Sequence, residues 1–255
     1  MNLRLITCSG ANETTDIEML VKMLASYRRA EIGVQVSEKK CYFDSLRMMW
    51  IQFLVRHLAM NKMLINASLH INQSWVEDVG QGILSHELQY LLSIRNIKGE
   101  PFFQRVQLNF KIGRDSTPDA YRLLNLMQLY KPHRFIFPYN EENAAFIKKM
   151  YSLCQEVWLR FDVLYDESHG EGIVPKQRQP AVFTDVMQGY AGGIGPDNVA
   201  DVLDEVALAQ KKKSSLFGVT IDAEGKLKNA DGHFDIELCQ RYLQAAYEWR
   251  SEHLS

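Results

Sequence analysis

The sequence lacks the features that would mark a disulfide-stapled, membrane-spanning or nucleic-acid-binding protein. Its 255 residues include only four cysteines, widely spaced and without a CxxC pair, so neither a disulfide framework nor a zinc site is expected. No apolar stretch approaches the roughly 20 residues that span a bilayer. The net charge of −2 shows no excess of basic residues that would bind the phosphates of a nucleic acid. We therefore expect a cytoplasmic protein that binds neither a membrane nor nucleic acid.

The chain also contains no linker, low-complexity tract or internal repeat that would divide it. Hydrophobic residues make up 46% of the sequence, which is enough for one sizeable core. Single α/β barrels commonly have about this length. We therefore predict one domain over residues 1–255.

Short apolar runs alternate with longer segments of helical periodicity, the pattern of βα units around a parallel sheet. The predicted strands are Leu3–Thr7, Ile32–Val36, Ala67–Ile71, Arg105–Phe110, Arg134–Phe137, Phe161–Tyr165, Gln188–Ala191 and Leu216–Ile221. The predicted helices include Asp16–Arg29, Asp44–Met60, Val76–Ser93, Asp119–Tyr130, Glu142–Gln155 and Asp235–Glu252. Eight units in this length predict a single TIM (β/α)8 barrel. A doubly wound sheet is the alternative, but its glycine-rich turn usually follows the first strand.

A double-glycine turn between a strand and a helix is the most informative motif. Gly192 and Gly193 can adopt positive φ and bring bare N–H groups close to a ligand. Pro196, Asp197 and Asn198 suit the start of the following helix, whose positive end favours an anion such as phosphate. The alternative is an ordinary tight turn. Its late position matches that of many barrel phosphate sites.

Residues at the carboxyl ends of the strands surround the active site of a barrel. Cys8 ends the first predicted strand, where a thiol could act as a base or nucleophile or be a buried small hydrophobe. Asp166 ends the sixth, where it could be a general acid or a cap. The polar loop after Asp166 suits a mobile lid and contains His169.

Two basic residues follow the fourth predicted strand. Lys111 and Arg114 could bind a substrate carboxylate or phosphate. Solvated charges at the rim are the alternative interpretation for both.

Three motifs, in chain order, resemble the phosphoribosylanthranilate isomerase family. Ile6-Thr-Cys8-Ser-Gly10 is similar to the first-strand Lys-Ile-Cys-Gly of that family. Val163-Leu-Tyr-Asp166, with Gly170-Glu-Gly172 after it, is similar to the sixth-strand Leu-Leu-Asp and its glycine-rich loop. Gly192-Gly-Ile-Gly-Pro-Asp-Asn-Val199 closely matches Gly-Gly-Leu-x-Pro-Glu-Asn-Val.

This resemblance implies an Amadori rearrangement of a phosphorylated aminoaldose to a 1-amino-1-deoxyketose. Asp166 would be the general acid that opens the ribose ring, and Cys8 would be the base that removes the C2′ proton. Gly192 and Gly193 would hold the sugar phosphate through their backbone amides. Lys111, Arg114, Gly170 and Gly172 are further candidates for binding the substrate or its phosphate. Proton transfer needs neither a cofactor nor a metal. The expected partner is a small-molecule substrate, and a homo-oligomer is compatible with the sequence.

The eighth predicted strand departs from the family pattern and leaves two alternatives open. Thr220 to Gly225 replaces the family's Ser-Ser-Gly-Val-Glu and places Asp222 and Glu224 near the expected phosphate. One alternative is a divergent barrel enzyme whose acidic mouth, formed by Asp166, Asp222 and Glu224, acts on a different substrate and could bind a divalent metal. The other is a ligand-binding barrel without turnover.

Overall fold

The candidate site lies at the carboxyl ends of the barrel strands. In the computed structural model, which describes residues 1–112, 117–166, 174–175 and 177–253, eight strands form one closed barrel in chain order. The strands are β1 (Leu3–Ala11), β2 (Ala30–Val36), β3 (Asn66–Ile71), β4 (Arg105–Leu108), β5 (Arg134–Tyr139), β6 (Phe161–Tyr165), β7 (Gln188–Tyr190) and β8 (Val219–Ala223). The predicted TIM (β/α)8 fold is confirmed.

The helices that connect the strands follow the predicted periodicity with one division. They are α1 (Ile17–Ser26), α2 (Leu46–Met60), α3 (Ser74–Gly80), α4 (His86–Ser93), α5 (Ala120–Leu129), α6 (Ala144–Glu156), α7 (Val199–Lys212) and α8 (Ile236–His253), with a 3₁₀ helix η1 at Gly225–Leu227. The single helix predicted over 76–93 is two helices in the structure, because Gly82 adopts a φ of +75° and interrupts the helical conformation. No helix in the described ranges is long and apolar enough to cross a membrane.

Strand β8 begins three residues later than the sequence predicts. Gly218 has a φ of +86°, and a Cβ there would lie 2.4 Å from the carbonyl oxygen of Asn2. The preceding apolar residues, Leu216 and Phe217, are exposed rather than part of the strand. The later start places Asp222 inside the strand.

The chain comprises two compact units, residues 1–33 with 162–255 and residues 34–161. In the first unit, β6, β7, β8 and β1 pair in parallel in that order, and α8 packs against β1, α1 and α7. In the second, β3, β4 and β5 pair in parallel, and α5 packs against α3 and α6.

Candidate active site

A serine and an aspartate meet at the carboxyl ends of β1 and β8. The Ser9 hydroxyl donates to Oδ1 of Asp222 over 2.6 Å, and both side chains are buried. An O–H···O bond of this length is typical of an ionised acceptor. Two residues earlier on the same face of β1, the Thr7 hydroxyl donates to Oε1 of the buried Glu31 over 2.9 Å. Two successive side chains on this face of β1, Thr7 and Ser9, are therefore polar.

Asp166 is the first residue after β6, and Asp222 lies near the end of β8. A Cβ placed on Gly189 would lie 2.7 Å from Leu164 Cδ1 and 3.1 Å from Thr220 Oγ1, so these three residues of β6, β7 and β8 face one another. The register places them at one level. Asp222 is two residues after Thr220 and therefore lies on the same face of β8. With strands about 4.8 Å apart, β6 and β8 lie about 10 Å apart, on either side of β7.

The double-glycine turn lies directly after β7, between the two aspartates. Gly192 and Gly193 have φ angles of +90° and +63°. The Asn198 side chain holds the turn, because its Oδ1 accepts the Gly195 N–H over 2.8 Å and its Nδ2 donates to the Gly193 carbonyl over 3.0 Å. Within the described residues, the N–H groups of Gly192 and Gly193 donate to no protein acceptor. Gly192 is half-buried and Gly193 is buried, so the Gly192 amide is the more accessible of the two to a ligand.

A buried arginine, Arg178, hydrogen-bonds to the backbone carbonyls of this turn. The sequence did not indicate this residue. The guanidinium of Arg178 donates to the carbonyls of Ala191 and Gly192, the latter over 3.3 Å, and its Nε lies 3.5 Å from the Glu205 carboxylate on α7. The planar guanidinium suits several acceptors at once. Arg178 thus fixes the carbonyl side of the turn and adds positive charge beside the two amides.

The segment after β8 carries one acid and two lysines. Glu224 pairs with Lys228 over 2.8 Å, so its negative charge is offset within this segment. Lys226 is exposed on η1, and its Cβ would lie 2.5 Å from a Cβ placed on Gly195. Lys226 therefore packs directly on the glycine turn. Among the described residues, no group of three or more His, Cys, Asp or Glu side chains could hold a metal ion.

Cys8 faces the helices rather than the barrel interior. Its side chain is fully buried and lies beside the Cys239 thiol on α8. Burial and the neighbouring Cys8 raise the pKa of the Cys239 thiol, and burial with contributions from Cys8 and Asp222 raises the pKa of Tyr242 on the same helix. This orientation is opposite to the one that the family resemblance implies. Because successive strand residues point to opposite faces, Ser9 takes the inner position.

The other predicted site residues lie in the second unit or outside the described residues. Lys111 is exposed after β4, in the unit of residues 34–161. Arg114, Gly170, Gly172 and His169 lie outside the described residues, so their roles stay predictions.

One cavity, of about 110 Å³, lies within the unit of residues 34–161, away from the carboxyl ends of its strands. Its lining includes Ile65, immediately before β3, and Phe102, shortly before β4. Apart from Arg95 and Asn96 the lining is apolar. The cavity therefore offers no acid–base group and is not the candidate active site.

The fold and these residues define a β/α barrel with two carboxylates and an open glycine turn at the carboxyl ends of its strands. No protein-family model matches the sequence, and a search of curated proteins finds no match either. The fold is nevertheless shared with solved enzymes.

TrpF from Jonesia denitrificans is similar at 15% identity and a TM-score of 0.53, over 96% of this chain and 97% of its own. Phosphoribosyl anthranilate isomerase from Thermotoga maritima is similar at 13% identity and a TM-score of 0.52, over 97% and 100%. A glycoside hydrolase family 30 xylanase from Clostridium acetobutylicum has a TM-score of 0.53 at 8% identity, over 96% and 71%. At such identities the likeness establishes the barrel fold, which hosts different chemistries.

Proposed function

We propose that this protein is an acid–base isomerase that converts a phosphorylated aldosylamine into the 1-amino-1-deoxyketose, the reaction type of phosphoribosylanthranilate isomerase. The observation that carries the proposal is that Asp166 follows β6 and Asp222 lies near the end of β8, the two strands that flank β7. The glycine turn of Gly192 and Gly193 follows β7, between them. The arrangement supplies an acid, a base and an anion site.

The two aspartates divide the proton transfers between them. Protonated Asp166 gives its proton to the ring oxygen as the C1–O bond breaks, which leaves a C1=N iminium. The Asp222 carboxylate removes the C2 proton, and that electron pair forms the C1=C2 bond of an enolamine. Proton return to C1 and loss of the C2 hydroxyl proton give the ketone. Atoms and electrons balance without an external oxidant or reductant, and each positioned acid or base contributes about 10²–10⁴-fold.

Ser9 makes Asp222 rather than Cys8 the base in this scheme. The Ser9 hydroxyl donates to the Asp222 carboxylate and orients it, whereas the Cys8 thiol lies beside Cys239 on α8. A base must lie within hydrogen-bond reach of the proton that it removes. Cys8 therefore has a packing role.

Positive charge around the glycine turn supports phosphate as the anion. Arg178 lies behind the turn and Lys226 packs on Gly195. These cations offset the repulsion that the Asp222 carboxylate would exert on a nearby phosphate. Backbone amides and lysines are common phosphate ligands.

The direct test is incubation of the purified protein with N-(5′-phosphoribosyl)anthranilate, with formation of the C2 ketone followed by ¹³C NMR. We expect turnover of this compound and little turnover of its unphosphorylated analogue, because the turn binds the phosphate. Complementation of a strain that lacks the isomerase provides the cellular counterpart. Folded protein that forms no ketone at high enzyme concentration would contradict the proposal.

Cys8→Ala separates this scheme from the one implied by the resemblance. We expect kcat/KM to stay within about threefold of the unchanged protein, since a true base contributes at least about 10²-fold. The measurement is steady-state kinetics, with melting temperatures recorded to exclude unfolding. A loss of two orders of magnitude in a folded Cys8→Ala protein would restore Cys8 as the base.

Glycoside hydrolysis is a second candidate function, favoured by the same pair of carboxylates, Asp166 and Asp222. Glycosidases place an acid and a nucleophile or base on opposite sides of the scissile bond, and Asp166 and Asp222 flank one strand in this way. Aryl glycosides without phosphate distinguish the two functions. Their hydrolysis, together with inactivity on the phosphorylated aminosugar, would favour the hydrolase.

A further inference from the structure

The cavity in the unit of residues 34–161 is walled by two segments of the chain that precede β3 and β4. The first segment is the end of α2 with the turn that follows it, and the second is the connection between α4 and β4. The residues that line the cavity from the first segment are Val55, Leu58, Ala59, Met63, Leu64 and Ile65. This wall is therefore entirely apolar.

The second wall is a short hairpin held by backbone hydrogen bonds. Arg95 forms an antiparallel bridge with Pro101, and the Phe102 N–H donates to the Ile94 carbonyl over 2.9 Å. Asn96 holds the tip of the hairpin, because its Oδ1 accepts two backbone N–H groups over 2.9 and 3.2 Å. Since the Asn96 side chain is used in this turn, Arg95 is the polar lining residue that can serve a ligand.

The guanidinium of Arg95 is fixed at one nitrogen and open at the other two. Its Nη1 donates to the carbonyls of Leu92 and Ile94 over 2.9 and 3.4 Å, which holds the group at the end of α4. A guanidinium carries five N–H donors. In the described part of the chain, the three donors on Nη2 and Nε reach no acceptor, and no carboxylate pairs with Arg95. Arg95 therefore offers the cavity a positive charge and an open set of donors.

The cavity is open to solvent, because several of its lining side chains are partly exposed. Leu64 is 42% exposed and Ile97 is 48% exposed, and Arg95 is exposed as well. An engineered apolar cavity of roughly 150 Å³ binds benzene, and this one has a volume of about 110 Å³. Its size therefore suits a phenyl ring that projects in part through the opening, or a short alkyl group.

We propose that this cavity is a binding site for a small monocarboxylate, whose phenyl or short alkyl body occupies the apolar interior and whose carboxylate pairs with Arg95. A guanidinium matches a carboxylate geometrically, because two parallel N–H···O bonds can form between them. A free phosphate or a sugar would lose its hydration against the apolar walls without compensating hydrogen bonds. The ligand of this cavity therefore differs in chemical class from the phosphorylated substrate of the proposed isomerisation.

Titration of the full chain with benzoate, followed by methyl NMR, measures both the affinity and the place of binding. We expect a dissociation constant of about 1 mM or lower, with the largest shifts at the methyl groups of Ile65 and Ile97, which line the cavity. Ile147, buried on α6 outside the lining, should shift little. Benzamide has the same ring without the charge and should bind at least about 10-fold more weakly. Absence of benzoate binding, or shifts centred away from Ile65 and Ile97, would overturn the proposal.

Three variants separate the charge of the site from its apolar interior. Arg95→Gln should raise the dissociation constant of benzoate at least about 10-fold and leave that of benzamide nearly unchanged, because only the charged ligand uses the guanidinium. Arg122→Gln is the matched control, since Arg122 is an exposed arginine on α5 of the same unit and lies outside the lining. Ala59→Phe, at an exposed lining position near the end of α2, should fill the cavity and abolish binding of both compounds. Equal effects of the two arginine variants, or full benzoate binding by Ala59→Phe, would contradict the assignment.

Discussion

Asp166→Asn and Asp222→Asn are each expected to lower kcat for the proposed isomerisation by about 10²–10⁴-fold, the contribution of a positioned acid or base. The asparagine amide keeps the shape of the side chain but cannot exchange the proton. In Asp222→Asn the amide oxygen can still accept from Ser9, so the fold should persist. KM should rise little in either variant, because neither aspartate is a ligand of the phosphate. Steady-state kinetics, with circular dichroism melting curves, measure this split between kcat and KM.

Glu224→Gln is the matched control for the two aspartates. Glu224 is an acid of the same β8 segment, but it is paired with Lys228 over 2.8 Å. We expect its kcat to stay within a few-fold of the unchanged protein, well short of the ~10²-fold minimum for a catalytic acid or base. An equal loss of kcat in Glu224→Gln, or full activity in either aspartate variant, would contradict the assignment.

The barrel could be predicted from the sequence because its signals are local and repeated. Apolar runs and helical periodicity mark each βα unit, and errors in single boundaries leave the order of elements unchanged. The misplaced start of β8 shows the limit. Leu216 and Phe217 look like strand residues, but the chain reaches its strand conformation only after Gly218.

The face on which a strand residue lies could not be predicted. A barrel strand is covered by helices on one side and by the barrel interior on the other, so both faces can be apolar and the alternation is not visible. A shift of one residue exchanges the faces of Cys8 and Ser9. The role of Cys8 as the base therefore stays a prediction, which the kinetics of Cys8→Ala test.

The support of the glycine turn was also not visible in the sequence. The two glycines were identified because positive φ favours glycine, and both adopt it. Arg178 belongs to an irregular segment between β6 and β7, where no periodicity relates it to the turn. Its contacts depend on tertiary structure alone.

Arg178→Met should both destabilise the fold and weaken phosphate binding. Loss of the guanidinium removes the hydrogen-bond donors of the Ala191 and Gly192 carbonyls. We expect a loss of about 2–4 kcal/mol in the free energy of unfolding, which corresponds to a fall of about 4–16 °C in melting temperature for a chain of this size. The turn that binds the phosphate loses these hydrogen bonds, so KM for the phosphorylated substrate should rise more than kcat falls. Thermal unfolding and steady-state kinetics measure the two effects.

Arg241→Met provides the comparison that isolates burial. Arg241 forms an ion pair of 2.7 Å with Asp197, at the other end of the same β7–α7 connection, but the two side chains are 61% and 86% exposed. Exposed pairs contribute about 0–1 kcal/mol, because water screens the charges and both side chains lose entropy. Arg241→Met should therefore leave the melting temperature and KM nearly unchanged. Equal effects of the two substitutions would mean that loss of positive charge near the turn, rather than the buried hydrogen bonds of Arg178, determines its stability.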